Sequence, residues 1–547
     1  MTASVTFDDW LDDFFATLFA HRTVDATFVG VHKHDAAMPD FSDAGVAAQI
    51  ADLDRLGAAL PTVSFDEPTR AALLDRQVAE GYLASQSALW RSDHAPHRDP
   101  AAIAAVALLG VIGLLRRDFA PVAQRLGHAT TRSRQIPEML THAARAAASA
   151  PPLWSETAKA YCRAGQKLFG AGIPRFCADR GLAVPDEVAL QAAASAFASL
   201  GDALGASEQA QRRQIGCGTH LLDTLLEQTH HVPGGSATVE DMAVAELDSA
   251  RDALEAGARE FGTDWRTVMA ELAADRVPIP RLVDRHREVF ELQRKLVIEN
   301  ELLTWPEYPV TFLTTPPWLA GVMADAMVYP YHAAPPFDPD VPVDFIIPES
   351  KDGIDETTIL TNHVLHHAGV GHHVQNWFAY NVSQSRIGRL AAVDSAGYIL
   401  LHSGIGMAEG WSGYVPGMIA EFGLLDAQQR LSVHHDRLRA ATRALVDVRL
   451  HTGRWSVEDA ARFVAAETGA HEPAALAAVQ RISHAPSSGS MYLVGPTLIR
   501  RLRTALVGAR PTAGELGRFH DALLSFGSLP MPLIAATMTN GDVDLFV

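Results

Sequence analysis

Five of the chain's 24 histidines fall within eleven residues: His363, His366, His367, His372 and His373. They stand in the run Thr361-Asn362-His363-Val364-Leu365-His366-His367-Ala368-Gly369-Val370-Gly371-His372-His373-Val374-Gln375. Neutral imidazole is the commonest protein ligand for a metal ion, and packing alone does not concentrate it this densely. Spacing restricts which of the five can share an ion. On an unbroken helix His363 and His367 are four apart on one face. His366 and His373 also share a face, but seven residues rise about 10.5 Å, too far for one ion without a bend. Gly369 and Gly371 lie where a bend costs little. Two ligand sets follow: His366 with His372 or His373 across a kink, or His363 with His367 on a straight turn. Either needs a carboxylate. Glu409, in Met407-Ala408-Glu409-Gly410-Trp411, is the candidate, because a glutamate buried beside glycine and tryptophan must be paired or metal-bound.

The elements that must position these side chains are helices. Amphipathic, alanine-rich periodicity recurs over 44–59, 68–90, 138–150, 185–204, 236–261 and 280–301, and again over 356–370, 395–422, 426–451, 456–468, 491–506 and 513–526. An apolar run, 101–115, starts after Pro100 and stops at Arg116-Arg117, the signals of a buried helix. One region differs. Between Glu307 and Ser350 prolines cluster and two β-type runs appear, 310–313 and 343–347. The expected fold is mostly α and multi-helical, with a small strand-containing region near 307–350. No low-complexity linker divides the chain, so residues 1–547 are read as one integrated unit, with a soft split into a helical part to about 300 and a site-bearing part after it.

Composition excludes several classes. A formal net charge of −19 is the wrong sign for a nucleic-acid footprint. Hydrophobic residues at 48% and charged residues at 20% are ordinary for a globular protein. Cys162, Cys177 and Cys217 are too few and too irregular for a disulfide framework. The run 101–115 is shorter than the roughly 20 residues of a membrane span, and Met1 to Asp13 has no basic residue of the kind that opens a signal peptide. The expectation is a cytoplasmic protein with neither nucleic-acid nor membrane partner. His230-His231 and His434-His435 read as solvent-facing pairs, and the aromatic stretch from Trp305 to Phe337 as a pocket wall or as loop packing. The substrate and the oligomeric state are not legible.

The histidine run and the Glu409-Gly410-Trp411 helix together resemble a bacterial family catalogued as domain of unknown function 885, itself similar to helical zincin-type metallopeptidases. Its members carry His-Glu-x-x-Pro-Gly-His-His followed by a Glu-Gly-Trp helix. Here the first motif stands as His366-His367-Ala368-Gly369-Val370-Gly371-His372-His373. Further resemblances follow in order: Arg443-Ala444-Leu445-Val446-Asp447 with His451, Pro486 to Tyr492 with Gly495, and Phe519 to Leu524 leading to Pro530. The resemblance implies a metal, zinc in the first instance with iron or manganese as alternatives, held by His366, one of His372 and His373, and Glu409. It also implies that Tyr492, Arg443 and His451 lie near the site, to bind a carboxylate or stabilise an oxyanion.

Two departures from the pattern bear on chemistry. His367 replaces the motif glutamate and Val370 replaces the proline. That glutamate is the general base of zinc hydrolases, and losing a general base costs on the order of 10²–10⁴-fold in rate. Histidine can serve as a base near neutral pH. The expectation is therefore a metal-dependent hydrolase of a small amide or peptide-like substrate, with His367 or another residue as base. The alternatives are a redirected site (a non-haem iron oxygenase or a lyase, with His363 and His367 available to a second metal) and a non-catalytic ligand-binding relative.

Overall fold

The computed structural model describes residues 5–65, 67–205, 215–326, 329–390 and 401–546. Helices make up most of it, and the few strands are short. The mostly α, multi-helical expectation holds, with Val310–Thr314 and Val343–Ile347 as strands where β-type runs were read. The helix expected over 395–422 begins at Ile405, and residues 395–400 of that expectation lie outside those described. Helices that were not anticipated include Phe7–His21, Pro152–Lys167, Trp265–Ala274 and Glu472–His484.

The chain forms two compact units. One comprises Met1–Ile215 and Leu313–Glu349, the other Gly216–Phe312, Ser350–Ala392 and Leu401–Val547. In the first, Asp99 caps the helix Pro100–Arg116 by accepting from Ala101 N–H at 2.8 Å, and almost all of this apolar helix is buried. Burying so much apolar surface drives that unit's core. The guanidinium of Arg132 is fully buried against it and donates to the carbonyls of Ala37, Gly110, Thr23 and His34. A charge so buried is tolerable because each guanidinium nitrogen has an acceptor. Tyr331–His332 pairs antiparallel with Val343–Ile347 in the same unit.

In the second unit the long helices Gly235–Arg259 and Ala427–His451 lie together, tied by Arg437–Glu246 at 2.7 Å and Arg449–Glu240 at 2.8 Å. Ile405–Glu421 and Ser488–Val507 cross at glycine: a Cβ on Gly410 would sit 2.9 Å from the Gly495 Cα. Only hydrogen at both positions permits that approach. A two-residue ladder, Arg276–Val277 with Ile354–Asp355, leads into the histidine segment, and Asp355 accepts from Thr358 N–H at 2.8 Å.

His230 corrects one expectation. It is 1% exposed, with Nε2 at 3.0 Å from the Ser487 hydroxyl. Doublet histidines carry no signal of burial, and a polar partner 257 residues away is invisible to local pattern. His434 and His435 are half-buried. The aromatic stretch divides: Trp305 and Tyr308 pack on Phe290 and His373, whereas Trp318 and Phe337 pack on Phe176 and Phe19 of the first unit.

Candidate metal centre

Thr358–Ala368 is an eleven-residue π-helix, a wide-turn form rare except at functional sites. It ends where Gly369 N–H donates to Val364 O at 2.6 Å. Three residues later His372 opens the helix His372–Asn381. The turn between is possible because of Gly371, where a Cβ would stand 2.1 Å from His366 O and 2.5 Å from Leu365 O. The kinked arrangement is thus the one adopted, and it brings His366 and His372 within reach of each other.

Glu409, on Ile405–Glu421, meets them. Its carboxylate lies 3.4 Å from His366 Nε2 and 3.8 Å from His372 Nε2. One nitrogen from each histidine and one carboxylate oxygen all lie within 4.8 Å of one another, the single such group of three among the described residues. Ligands bonded at about 2.0–2.2 Å to a tetrahedral zinc stand roughly 3.4 Å apart, so the spacing needs little closure. His372 Nε2 and Glu409 Oε2 are buried and make no hydrogen bond. The 3.4 Å approach of His366 to Glu409 is an ion-pair distance without hydrogen-bond alignment. Buried polar atoms without partners are costly, at about 1–3 kcal/mol each, and a cation shared among the three satisfies both. His366 and Glu409 keep 19% and 12% of their side-chain exposure, which leaves the centre open to a small molecule.

Electrostatics favour the ligand-ready protonation states. Burial works to raise the Glu409 carboxyl, but contact with His366 and the nearby His372 and His367 outweigh it and hold the group down at about 2. Burial pushes His372 down to about 4, against the opposing pull of Glu409. At neutral pH the site presents an anionic carboxylate and a neutral imidazole, which are the forms that bind metal.

The remaining histidines separate cleanly. His373 turns away: its Nε2–H donates to Tyr308 O at 2.6 Å and its ring stacks on Tyr308 at 4.6 Å. His363 does not join His367; its Nδ1 lies 3.0 Å from His286 Nε2, and His286 Nδ1 lies 2.6 Å from Leu282 O. His367 sits against the centre, its ring 4.6 Å from that of His366 and 5.5 Å from that of His372. Its Nδ1–H donates to Asn362 O at 2.8 Å, which assigns the lone pair to Nε2. Burial, followed by the adjacent imidazoles, takes His367 well below the usual histidine range.

Arg443, Tyr492 and His451 lie on neighbouring helices of the same unit. The Arg443 guanidinium covers the Tyr492 ring at 4.0 Å. Ser488 Oγ is 3.3 Å from His402 Nδ1, and further along the same pair of helices Gly410 abuts Gly495. The two helices therefore run in the same direction, and Tyr492 lies one turn beyond Ser488 and three residues before Gly495. His451 is fully buried, with Nε2 3.1 Å from Ile482 O and Nδ1 accepting from Cys217 N–H at 3.4 Å. That bonding is structural. Asp447 does not pair with Arg443; it accepts from Ser487 N–H, Ser490 N–H and the Ser490 hydroxyl. Sequence reasoning missed His286, Tyr308 and the Asn362 carbonyl, whose contributions are long-range or backbone and carry no motif.

A family model described as bacterial protein of unknown function (DUF885) matches residues 24–538. No curated protein matches the chain. Among solved structures, a proposed lipoprotein of unknown function from Shewanella oneidensis is 18% identical over 98% of this chain and 100% of its own, with a TM-score of 0.74. A proposed lipoprotein from Colwellia psychrerythraea is 16% identical over 96% of both chains, with a TM-score of 0.77. At these identities the likeness is one of fold.

Proposed function

From the premise that this chain belongs to the family of bacterial proteins of unknown function (DUF885), we propose that it is a zincin-like, zinc-dependent hydrolase of a small amide or peptide-like substrate. The observation that carries the reading is the convergence of His366, His372 and Glu409, with His372 Nε2 and Glu409 Oε2 buried and unmatched. Two imidazoles and one carboxylate form the ligand set of catalytic zinc sites that keep a position open. An ion held there supplies Lewis acidity toward a carbonyl or amide oxygen.

The chain's own residues supply the rest. His367 is the proton acceptor: the Asn362 carbonyl holds Nδ1–H, which makes Nε2 the accepting nitrogen of a ring that lies beside those of His366 and His372. Its lowered pKa keeps the ring neutral and its lone pair unprotonated across the physiological range, at the expense of basicity. Tyr492, under the Arg443 guanidinium, is the donor for negative charge on the substrate. The replacement of a carboxylate base by His367 also favours a second reading, in which iron or manganese occupies the same two-histidine, one-carboxylate set for non-hydrolytic chemistry.

The test is hydrolysis of a panel of N-acyl amino acids and dipeptides by zinc-loaded protein. Turnover should disappear in Glu409→Ala and fall on the order of 10²-fold in His367→Ala. Zinc-loaded protein that cleaves nothing in the panel, alongside iron-loaded protein that consumes oxygen, would replace the first reading by the second.

A further inference from the structure

The turn between His366 and His372 contains one peptide carbonyl that a side chain from another helix holds. Gly369 N–H and Gly371 N–H donate within the turn, to Val364 O and Leu365 O, at 2.6 and 2.8 Å. The Val370 carbonyl accepts instead from the indole N–H of Trp411, at 2.8 Å. Val370 and Trp411 are both fully buried. Trp411 stands two residues after Glu409 on the same helix. Its ring is held by Tyr414, at 5.8 Å, and edge-on by His520, at 5.2 Å. His520 is fixed in turn, with Nδ1–H donating to Leu302 O at 2.6 Å and Nε2 2.9 Å from the Tyr414 hydroxyl.

From this geometry we infer that Trp411 is a positioning residue of the metal centre. It locks the turn that spaces His366 from His372 onto the helix that carries Glu409. The inference rests on the reading of those three residues as ligands. Without the N–H, the buried Val370 carbonyl has no donor, and the peptide is free to rotate toward one. The His366–His372 separation then changes while the ligands themselves remain. Outer-shell groups that hold ligands typically contribute 10–100-fold in metal affinity.

The experiment compares zinc affinity, by competition with a chromophoric chelator, in the parent, Trp411→Phe and a protein carrying benzothienylalanine at 411, which keeps the two-ring shape and replaces N–H by sulfur. Cobalt-substituted protein supplies a second readout, since its visible bands report ligand geometry. Both variants should bind zinc 10–100-fold more weakly, with altered cobalt bands. Trp455→Phe, remote from the centre, should match the parent. Parent-like affinity and bands in folded benzothienylalanine protein would overturn the assignment of Trp411, even if Trp411→Phe fails to fold. A parent that binds no metal would overturn the ligand reading itself, and this inference with it.

Discussion

Two histidine-bearing clusters flank the helix Ile405–Glu421, and they differ in one respect. On one side, His520 has both ring nitrogens matched, to Leu302 O and to the Tyr414 hydroxyl, which also accepts from Arg503 at 3.1 Å. On the other, His366 and His372 face Glu409 with His372 Nε2 and Glu409 Oε2 buried and unmatched. Both clusters contain histidine and both are largely buried. The first is closed by the protein's own donors and acceptors, so it is architecture. The second leaves two buried acceptors unmatched where three potential ligands meet, which is the basis for proposing an ion there. Burial and residue type do not separate the two; the account of partners does.

The sharpest way to break this comparison lies within one dipeptide. His372→Ala should abolish stoichiometric metal binding, because it removes a ligand, whereas His373→Ala should leave it intact. The effect of His372→Ala should exceed the roughly 10–100-fold of an outer-shell change. His373→Ala should instead lower stability by about 1–3 kcal/mol, having removed the imidazole's bond to the Tyr308 carbonyl. Metal titration and chemical denaturation of the two variants separate the outcomes; equal metal loss in both contradicts the geometry.

A smaller effect is expected on the closed side. His520→Phe leaves the Leu302 carbonyl and the Tyr414 hydroxyl short of a partner, and should destabilise by about 1–3 kcal/mol. Zinc affinity measured on the folded fraction should change far less than in His372→Ala. If metal binding collapses instead, the two clusters do not divide into architecture and site.

The smallest effect is one of slope. Burial raises the Asp447 carboxyl to about 7, against the opposing hydrogen bonds from Ser490 and Ser487. A folded-state pKa above the ordinary aspartate value means that folding takes up a proton. This contribution is fully present below about pH 4 and is lost as pH rises through 7. One proton accounts for at most about 1.4 kcal/mol per pH unit. Asp447→Asn should therefore flatten the pH dependence of unfolding between pH 4 and 7, whatever its constant offset. An unchanged slope in urea melts across that window removes Asp447 as its source.

The helical class was legible because periodic apolar positions and caps coincide, as in Asp99-Pro100 before the apolar run. The kink was half legible. Gly369 and Gly371 marked where the chain turns, but the π-helix before it depends on packing against Leu282–Glu299 and left no trace in periodicity. The choice between His372 and His373 was not legible at all, because it turns on a backbone carbonyl at Tyr308. Trp411 stood in view beside Glu409, yet its role lies in an indole bond to a peptide 41 residues earlier. Local pattern predicts which apolar residues are buried; it does not predict which polar atoms they meet.

The central claim is that His366, His372 and Glu409 hold one metal ion. Metal content per chain, measured by elemental analysis on the purified parent and on Glu409→Ala, tests it most directly. About one zinc per chain in the parent and none in the variant is the predicted result. Metal-free parent protein that takes up none on titration, or a stoichiometry untouched by Glu409→Ala, contradicts the account.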